Sequence, residues 1–256
     1  MKIEILGAHR SNFRDCQYIS ILIDDILALD AGCLAARLTS SQQRNVKAIL
    51  LSHLHYDHVR DIPAIAINNY LSGLKVKAYM TQHTCRGLTK YLLNGDVYPK
   101  FYNMPPSAPA IELCVISPGT HYKILDYDVI ALSAKHMAGA VSYYLVDNKE
   151  KSIFFTGDTA PGFGQHLYGK FPSLLISEVT FPNGAEEHAL FTNHLTPKLL
   201  KEELSRILQN NGNMPPVLVL HMDPESESEI RAELNEVSCE LNMKIGVAEE
   251  GLLIYL

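Results

Sequence analysis

Residues 52 to 63 read SHLHYDHVRDIP, which places His53, His55, Asp57 and His58 within six positions directly after the apolar run VKAILL. Packing has no use for three imidazoles and a carboxylate at the exit of a buried strand. Borderline-soft divalent ions, in contrast, take this donor set. In an extended segment residues two apart point to the same side, so His53 and His55 can share one ion. Asp57 and His58, displaced by the start of a helix, reach a neighbouring one. Further candidates stand where the chain leaves an apolar strand: Asp30 at the end of ILALD, His136 after VIALSA, Asp158 after SIFFTG and His221 after PVLVL. If those strands share a sheet end, their trailing residues gather at one rim. His9, His83, His121, His166 and His188 lack that context, and no role is expected of them.

The elements that must position these residues follow from periodicity. Strands are predicted at KIEIL, QYISILI, ILALD and KAILL, followed by a helix around Ile62 to Leu71, the strand VKAYM and a helical TCRGLTKYLLN stopped by Gly95. Pro99, Pro105, Pro106 and Pro109 make residues 95–110 a loop. The second half repeats the texture with strands at IELCVI, YDVIALSA, VSYYLV, SIFFT and LLIS. Thr196 caps and Pro197 starts a helix whose apolar face is Leu200, Leu204, Ile207 and Leu208. After the strand PVLVL, Asp223 and Pro224 open a last helix bearing Ile230, Leu234, Val237 and Leu241. Two strand-rich halves, each closing with helices, predict an α+β fold in which two sheets pack face to face with helices outside, a four-layer αββα sandwich.

The chain has 256 residues, 47% of them hydrophobic, enough to bury one full core, and residues 1–256 are expected to form a single domain. A net charge of −6 without a lysine and arginine block argues against duplex nucleic acid or an anionic membrane as partner. No apolar stretch approaches the roughly 18 residues of a membrane span, and a cytoplasmic location is expected. The cysteines, Cys16, Cys33, Cys85, Cys114 and Cys239, are odd in number and form no CxxC pair, so neither a disulfide framework nor a thiolate zinc site is indicated.

The succession HLHYDH, a lone His136, TGDT and LVLHMDP, with LALDAG ahead of it, resembles the metallo-β-lactamase superfamily over almost the whole chain. The resemblance implies the αββα fold and two divalent ions. His53, His55 and His136 would hold the first, Asp57, His58 and His221 the second, and Asp158 would bridge them. Zinc is the default for such a site, with manganese or iron fitting the same nitrogen and oxygen donors. Fold and site alone name no substrate, because they serve lactam, thioester, lactone and phosphodiester hydrolysis alike.

SEVTFPN at 177–183 and NHLTP at 193–197 look like the superfamily's phosphodiesterase branch, in which a glutamate and a histidine, here Glu178 and His194, precede the last metal histidine. The branch includes tRNA 3′-end endonucleases of the RNase Z type and class II cyclic-nucleotide phosphodiesterases. RNase Z enzymes usually extend a basic glycine- and proline-rich arm, whereas the short 95–110 loop carries one lysine, Lys100. The resemblance therefore favours a 3′,5′-cyclic-nucleotide phosphodiesterase acting on cyclic AMP or cyclic GMP. It departs from that group's motif at Tyr56, in place of leucine, and at Asp61, in place of glycine. The implied mechanism is attack by a metal-bridging hydroxide oriented by Asp57, with His194, steered by Glu178, assisting the leaving 3′-oxygen. A homodimer is common in this branch. The alternatives are an RNase Z-like endonuclease, a lactonase or glyoxalase II-like thioesterase, and a binding protein without turnover. The groups that would hold a purine base stay open among Tyr56, Tyr98, Phe101, Tyr102 and Phe163.

Overall fold

In the computed structural model, which describes residues 1–256, β1 (Lys2–Gly7), β2 (Ser20–Ile23), β3 (Leu27–Leu29), β4 (Ala48–Leu50), β5 (Val76–Met80) and β6 (Ile111–Val115) lie side by side in chain order. Pairing is antiparallel from β1 to β3 and parallel from β3 to β6. A second sheet holds β7 (His121–Ile124), β8 (Tyr127–Ser133), β9 (Val141–Val146), β10 (Ser152–Phe155), β11 (Leu174–Glu178), β12 (Val217–Leu220) and β13 (Ile245–Val247). It runs antiparallel from β7 to β10 and parallel from β10 to β13. The last strand, β14 (Leu253–Tyr255), crosses back and pairs antiparallel with β1, so the two chain ends share a sheet.

Strand alternation builds the layers. Ile3, Ile5, Ile21, Leu29 and Leu50 face Val129, Tyr143, Ile153, Phe155 and Ile176 in a core between the sheets. The alternate residues point outward on each sheet. Leu22, Ala28, Ile49 and Ala78 pack under α1 (Leu34–Arg37) and α4 (Ile62–Ser72), with α2 (Ser40–Asn45), α3 (Tyr56–Val59) and α5 (Gln82–Gly87) beside them. On the other sheet Phe154, Leu175, Val217 and Val219 pack under α7 (Pro197–Asn211) and α8 (Glu227–Glu240), with the shorter α6 (Glu186–Thr192) preceding them. Both faces of each sheet are therefore buried, as the near-continuous apolar strand sequences require. This is the αββα sandwich, and no helix is long and apolar enough to cross a membrane.

Several expected boundaries move. β2 starts at Ser20, because the chain from Gln17 to Ile19 still belongs to the loop after β1. In α7, capped by the Thr196 hydroxyl on the Leu199 amide, the buried stripe is Leu199, Leu200, Leu204 and Ile207, and Leu208 lies one position off it at 37% exposure. α8 starts at Glu227 after a turn, with Leu241 just past its end. Short strands β7, β13 and β14 had no predicted counterpart, since three or four residues are too few to show a period.

Candidate metal centre

β1, β3 and β4 run in one direction in the first sheet, as do β8, β10, β11 and β12 in the second, so their carboxyl ends open on one rim. The segment after β4 delivers His53 and His55, and α3 then carries Asp57 and His58. His136 follows β8, Asp158 follows β10 and His221 follows β12. Strained backbone marks this rim: Asp30 (φ +57°), His221 (φ +67°) and Asn193 (φ +60°) adopt the left-handed region that side chains normally avoid. At Gly157, φ is +58° and an added Cβ would stand 3.0 Å from the Ser52 Cβ, so this glycine lets the turn bring Asp158 against the histidine segment.

The structure brings all seven residues of the expected ligand set together. Ligand atoms of His53, His55, His136 and Asp158 lie within 4.8 Å of one another, as do those of Asp57, His58, Asp158 and His221. Asp158 belongs to both groups. Its Oδ2 stands 3.3 Å from His221 Nε2, 3.4 Å from His58 Nε2, 3.5 Å from His53 Nε2 and 3.8 Å from His136 Nε2. Asp57 Oδ2 is 3.2 Å from His221 Nε2 and 3.4 Å from His58 Nε2.

The far nitrogens of the rings are held from behind. His58 Nδ1 donates to Asp30 Oδ2 at 2.7 Å, His136 Nδ1 to the Asn193 carbonyl at 3.1 Å, and His221 Nδ1 to the Thr180 hydroxyl at 2.8 Å. His53 Nδ1 meets Ser52 Oγ at 3.0 Å, and Ser52 in turn donates to Asp30. Each contact leaves Nε2 facing the rim, the usual arrangement for metal-ligating imidazole. Asp30, a strand-end candidate, thus supports the set rather than joining it.

These residues fit divalent cations. His53 Nε2, His58 Nε2 and Asp158 Oδ1 are buried and find no hydrogen-bond partner in the protein, a costly state for three polar atoms converging on one spot. Burial holds His53, His55 and His136 below the ordinary imidazole range, His58 adding to this for His53, so they present lone pairs. His58, against its burial, is held well above that range by the charges of Asp158, Asp57 and Asp30. Burial alone would push Asp158 and Asp57 up, yet the surrounding histidines keep both carboxyls well below their ordinary range. The cluster therefore stores negative charge and lone pairs that a divalent ion can take over from protons.

Beside this cluster stands a second constellation. His194, placed by the turn at Asn193 after α6, donates Nδ1–H to Glu178 Oε1 at 2.9 Å. Glu178, fully buried, also accepts from the Thr180 hydroxyl at 2.8 Å and from the amides of Thr159 at 3.1 Å and Leu195 at 3.2 Å. Burial pulls the His194 imidazole down, and the Glu178 charge and hydrogen bond outweigh it, so His194 holds its proton above the ordinary range. The His194 ring stacks on His221 with centroids 5.4 Å apart.

The cleft over these groups is lined by Arg10, Ser11, Tyr18, His55, Tyr56, Asp57, Asp158, His194 and His221 and encloses about 270 Å³. Of the aromatic candidates for a base, Tyr56 alone lines it. Phe101 and Phe163 are buried in the outer cores, Tyr98 packs beside Phe101, and Tyr102 lines a separate surface groove with Lys75. Arg10, Ser11, Tyr18 and Thr180 escape the sequence reading, although Arg10 stands just beyond β1 and carries the strand-end signal that marked His136 and His221. His9 also stands there. Far from idle, it is buried between Glu227 and Glu250.

A family model described as a β-lactamase superfamily domain matches residues 20–222. Among related sequences, a probable 3′,5′-cyclic-nucleotide phosphodiesterase of Yersinia pestis is 23% identical over 207 residues, which cover 71% of this chain and 58% of that protein. Human zinc phosphodiesterase ELAC protein 2 is 25% identical over 166 residues, 58% of this chain and 20% of that protein. The chain thus matches little more than half of the first relative and a fifth of the second. In fold it is similar to unliganded yeast PDE1, with a TM-score of 0.83 at 17% identity, covering 100% of this chain and 99% of the other.

Proposed function

The chain belongs to the β-lactamase superfamily, and from that premise we propose that it is a metal-dependent phosphodiesterase that hydrolyses 3′,5′-cyclic nucleotides to 5′-nucleotides. The hydrogen-bonded Glu178–His194 pair beside the His/Asp cluster carries this reading, because phosphodiester cleavage must protonate a poor alkoxide leaving group whereas thioester cleavage, which expels a thiolate, need not. A probable 3′,5′-cyclic-nucleotide phosphodiesterase among the relatives supports it. We further read residues 1–256 as one hydrolase domain, since β14 closes the sheet that β1 opens.

In this reading His53, His55 and His136 would hold one ion, Asp57, His58 and His221 a second, and Asp158 would serve both, with zinc the expected metal. Divalent ions there supply Lewis acidity, activating water and neutralising the non-bridging phosphoryl oxygens. Asp57, the least buried of the carboxylates, orients the attacking water by accepting its hydrogen bond. Glu178 fixes the His194 tautomer by accepting from Nδ1–H, which aims Nε2 away from it. His194 then passes the Nε2 proton to the 3′-oxygen as the bond from phosphorus to that oxygen breaks. Thr180 ties the acid to the ligand set, donating to Glu178 and accepting from His221.

The test is hydrolysis of cyclic AMP and cyclic GMP by protein purified without chelator, with metal content measured on the same sample. Release of 5′-nucleotide with about two metals per chain is expected. Hydrolysis of bis(p-nitrophenyl) phosphate without either cyclic nucleotide would keep the phosphodiesterase chemistry and move the substrate to RNA ends or other diesters.

A further inference from the structure

The cleft has one guanidinium and no other lysine or arginine in its wall. Arg10 lies with its Cζ 4.9 Å from the centre of the Phe181 ring, and its Nε is 3.9 Å from Asp223 Oδ1, too far for a hydrogen bond. None of the side-chain hydrogen bonds within the chain uses it. One face of the guanidinium is thus pinned by the ring, and apart from the long ion pair with Asp223 its N–H groups make no hydrogen bond within the chain, a planar fork already ordered for a planar pair of acceptors. Tyr56, which lines the same cleft, is 58% exposed, and its neighbour Tyr18 stands edge-on to it with centroids 6.3 Å apart. Tyr18 is in turn covered by Arg60, 5.0 Å from its ring centre, which leaves Tyr56 as the open aromatic face.

A cyclic nucleotide carries a single phosphate, and the ligand cluster takes that charge. With the phosphate charge met by the cluster's ions, a further fork in the same cleft is available to the base or the ribose. Guanine presents O6 and N7 as adjacent acceptors, which match a donor-only guanidinium bidentately. Adenine sets an amino group beside N7 and turns a donor against the fork. We propose that Arg10 and Tyr56 form a purine subsite in which Tyr56 stacks on the base and Arg10 selects guanine, making cyclic GMP the preferred substrate over cyclic AMP. The proposal rests on the cyclic-nucleotide reading above and adds the identity of the base.

Two measurements on metal-loaded protein test it. The first is kcat/KM for cyclic GMP and cyclic AMP in the natural protein, Arg10→Ala and Tyr56→Ala, with metal content per chain reporting an intact centre. The natural protein should favour cyclic GMP about tenfold or more, Arg10→Ala should bring that ratio near one, and Tyr56→Ala should lower both purines alike, because stacking does not distinguish them. The second is calorimetric binding of 5′-GMP against 5′-AMP, where Arg10→Ala should weaken GMP selectively. Equal use of both cyclic nucleotides, or a guanine preference that survives Arg10→Ala, overturns the subsite while leaving the cyclic phosphodiesterase standing. Failure to cleave either cyclic nucleotide while bis(p-nitrophenyl) phosphate is hydrolysed overturns the substrate reading first; the subsite then falls as well if GMP binds no tighter than AMP.

Discussion

At the scale of single residues, the rim separates groups that would hold cations from a group that would move a proton. Asp158 touches four imidazoles through one oxygen, so removing it leaves both halves of the cluster without their common carboxylate. Asp158→Ala is expected to lose one or both metals together with nearly all turnover. His194 is held by Glu178 and stacks on His221 without belonging to the four-residue groups that contain Asp158. His194→Ala should therefore retain metal and lose roughly a hundredfold in kcat, the usual contribution of a positioned general acid. Metal analysis and steady-state kinetics on the two variants form one experiment. Full activity with two metals in Asp158→Ala sinks the bridging assignment, and an unchanged kcat in His194→Ala returns that residue to a structural role at the entry of α7.

At the scale of elements, what could be read from the chain depended on how local the signal was. His53 to His58 lie on one short segment between a strand and a helix, and their spacing alone sorts them into two groups, the division found in space. His136, Asp158 and His221 were legible as strand ends because apolar runs precede them. Arg10 carried the same signal unread, whereas Ser11 and Tyr18 had none, since the irregular stretch between β1 and β2 reaches the cleft only through the isolated His9–Met222 bridge that ties the end of β1 to the end of β12. Thr180 was hidden for a different reason: a hydroxyl shows its value only when two imidazoles and a carboxylate surround it. The helix α7 was legible in full apart from its edge. Leu204 is completely buried beneath it against the second sheet, so Leu204→Ala should cost about 2–5 kcal/mol of unfolding free energy. Because α7 supplies no ligand, metal content of the folded variant should match the natural protein. Urea unfolding measures the loss, and a change under about 1 kcal/mol would show that the helix repacks without its central leucine.

At the scale of the molecule, the two sheets must stay in register for the ligands of one to meet those of the other. His9 helps to hold that register. It sits just beyond β1, bridges by backbone to Tyr18 and Met222, and places its ring nitrogens 2.8 Å from Glu250 Oε1 and 3.1 Å from Glu227 Oε2. The start of the chain is thereby tied to the amino end of α8 and to the turn before β14. Burial pushes the His9 imidazole down, but the hydrogen bonds and charges of Glu250 and Glu227 raise it above its ordinary value of 6.5. Burial likewise pushes both carboxyls up, and Arg231 with His9 for Glu227, and His9 with the Gln17 amide for Glu250, bring them below 4.5. A raised imidazole stabilises the fold fully below 6.5 and loses that contribution as pH climbs through the folded value. Depressed carboxyls stabilise it fully above 4.5 and lose it as pH falls through theirs. The network therefore contributes most between pH 4.5 and 6.5. His9→Gln, which keeps a polar side chain but no titrating charge, should lower Tm by about 2–4 °C in that window, with the gap narrowing on either side. A Tm difference that is flat from pH 4 to pH 9, or widest in alkali, would mean that His9 holds the sheets together by packing and not by charge.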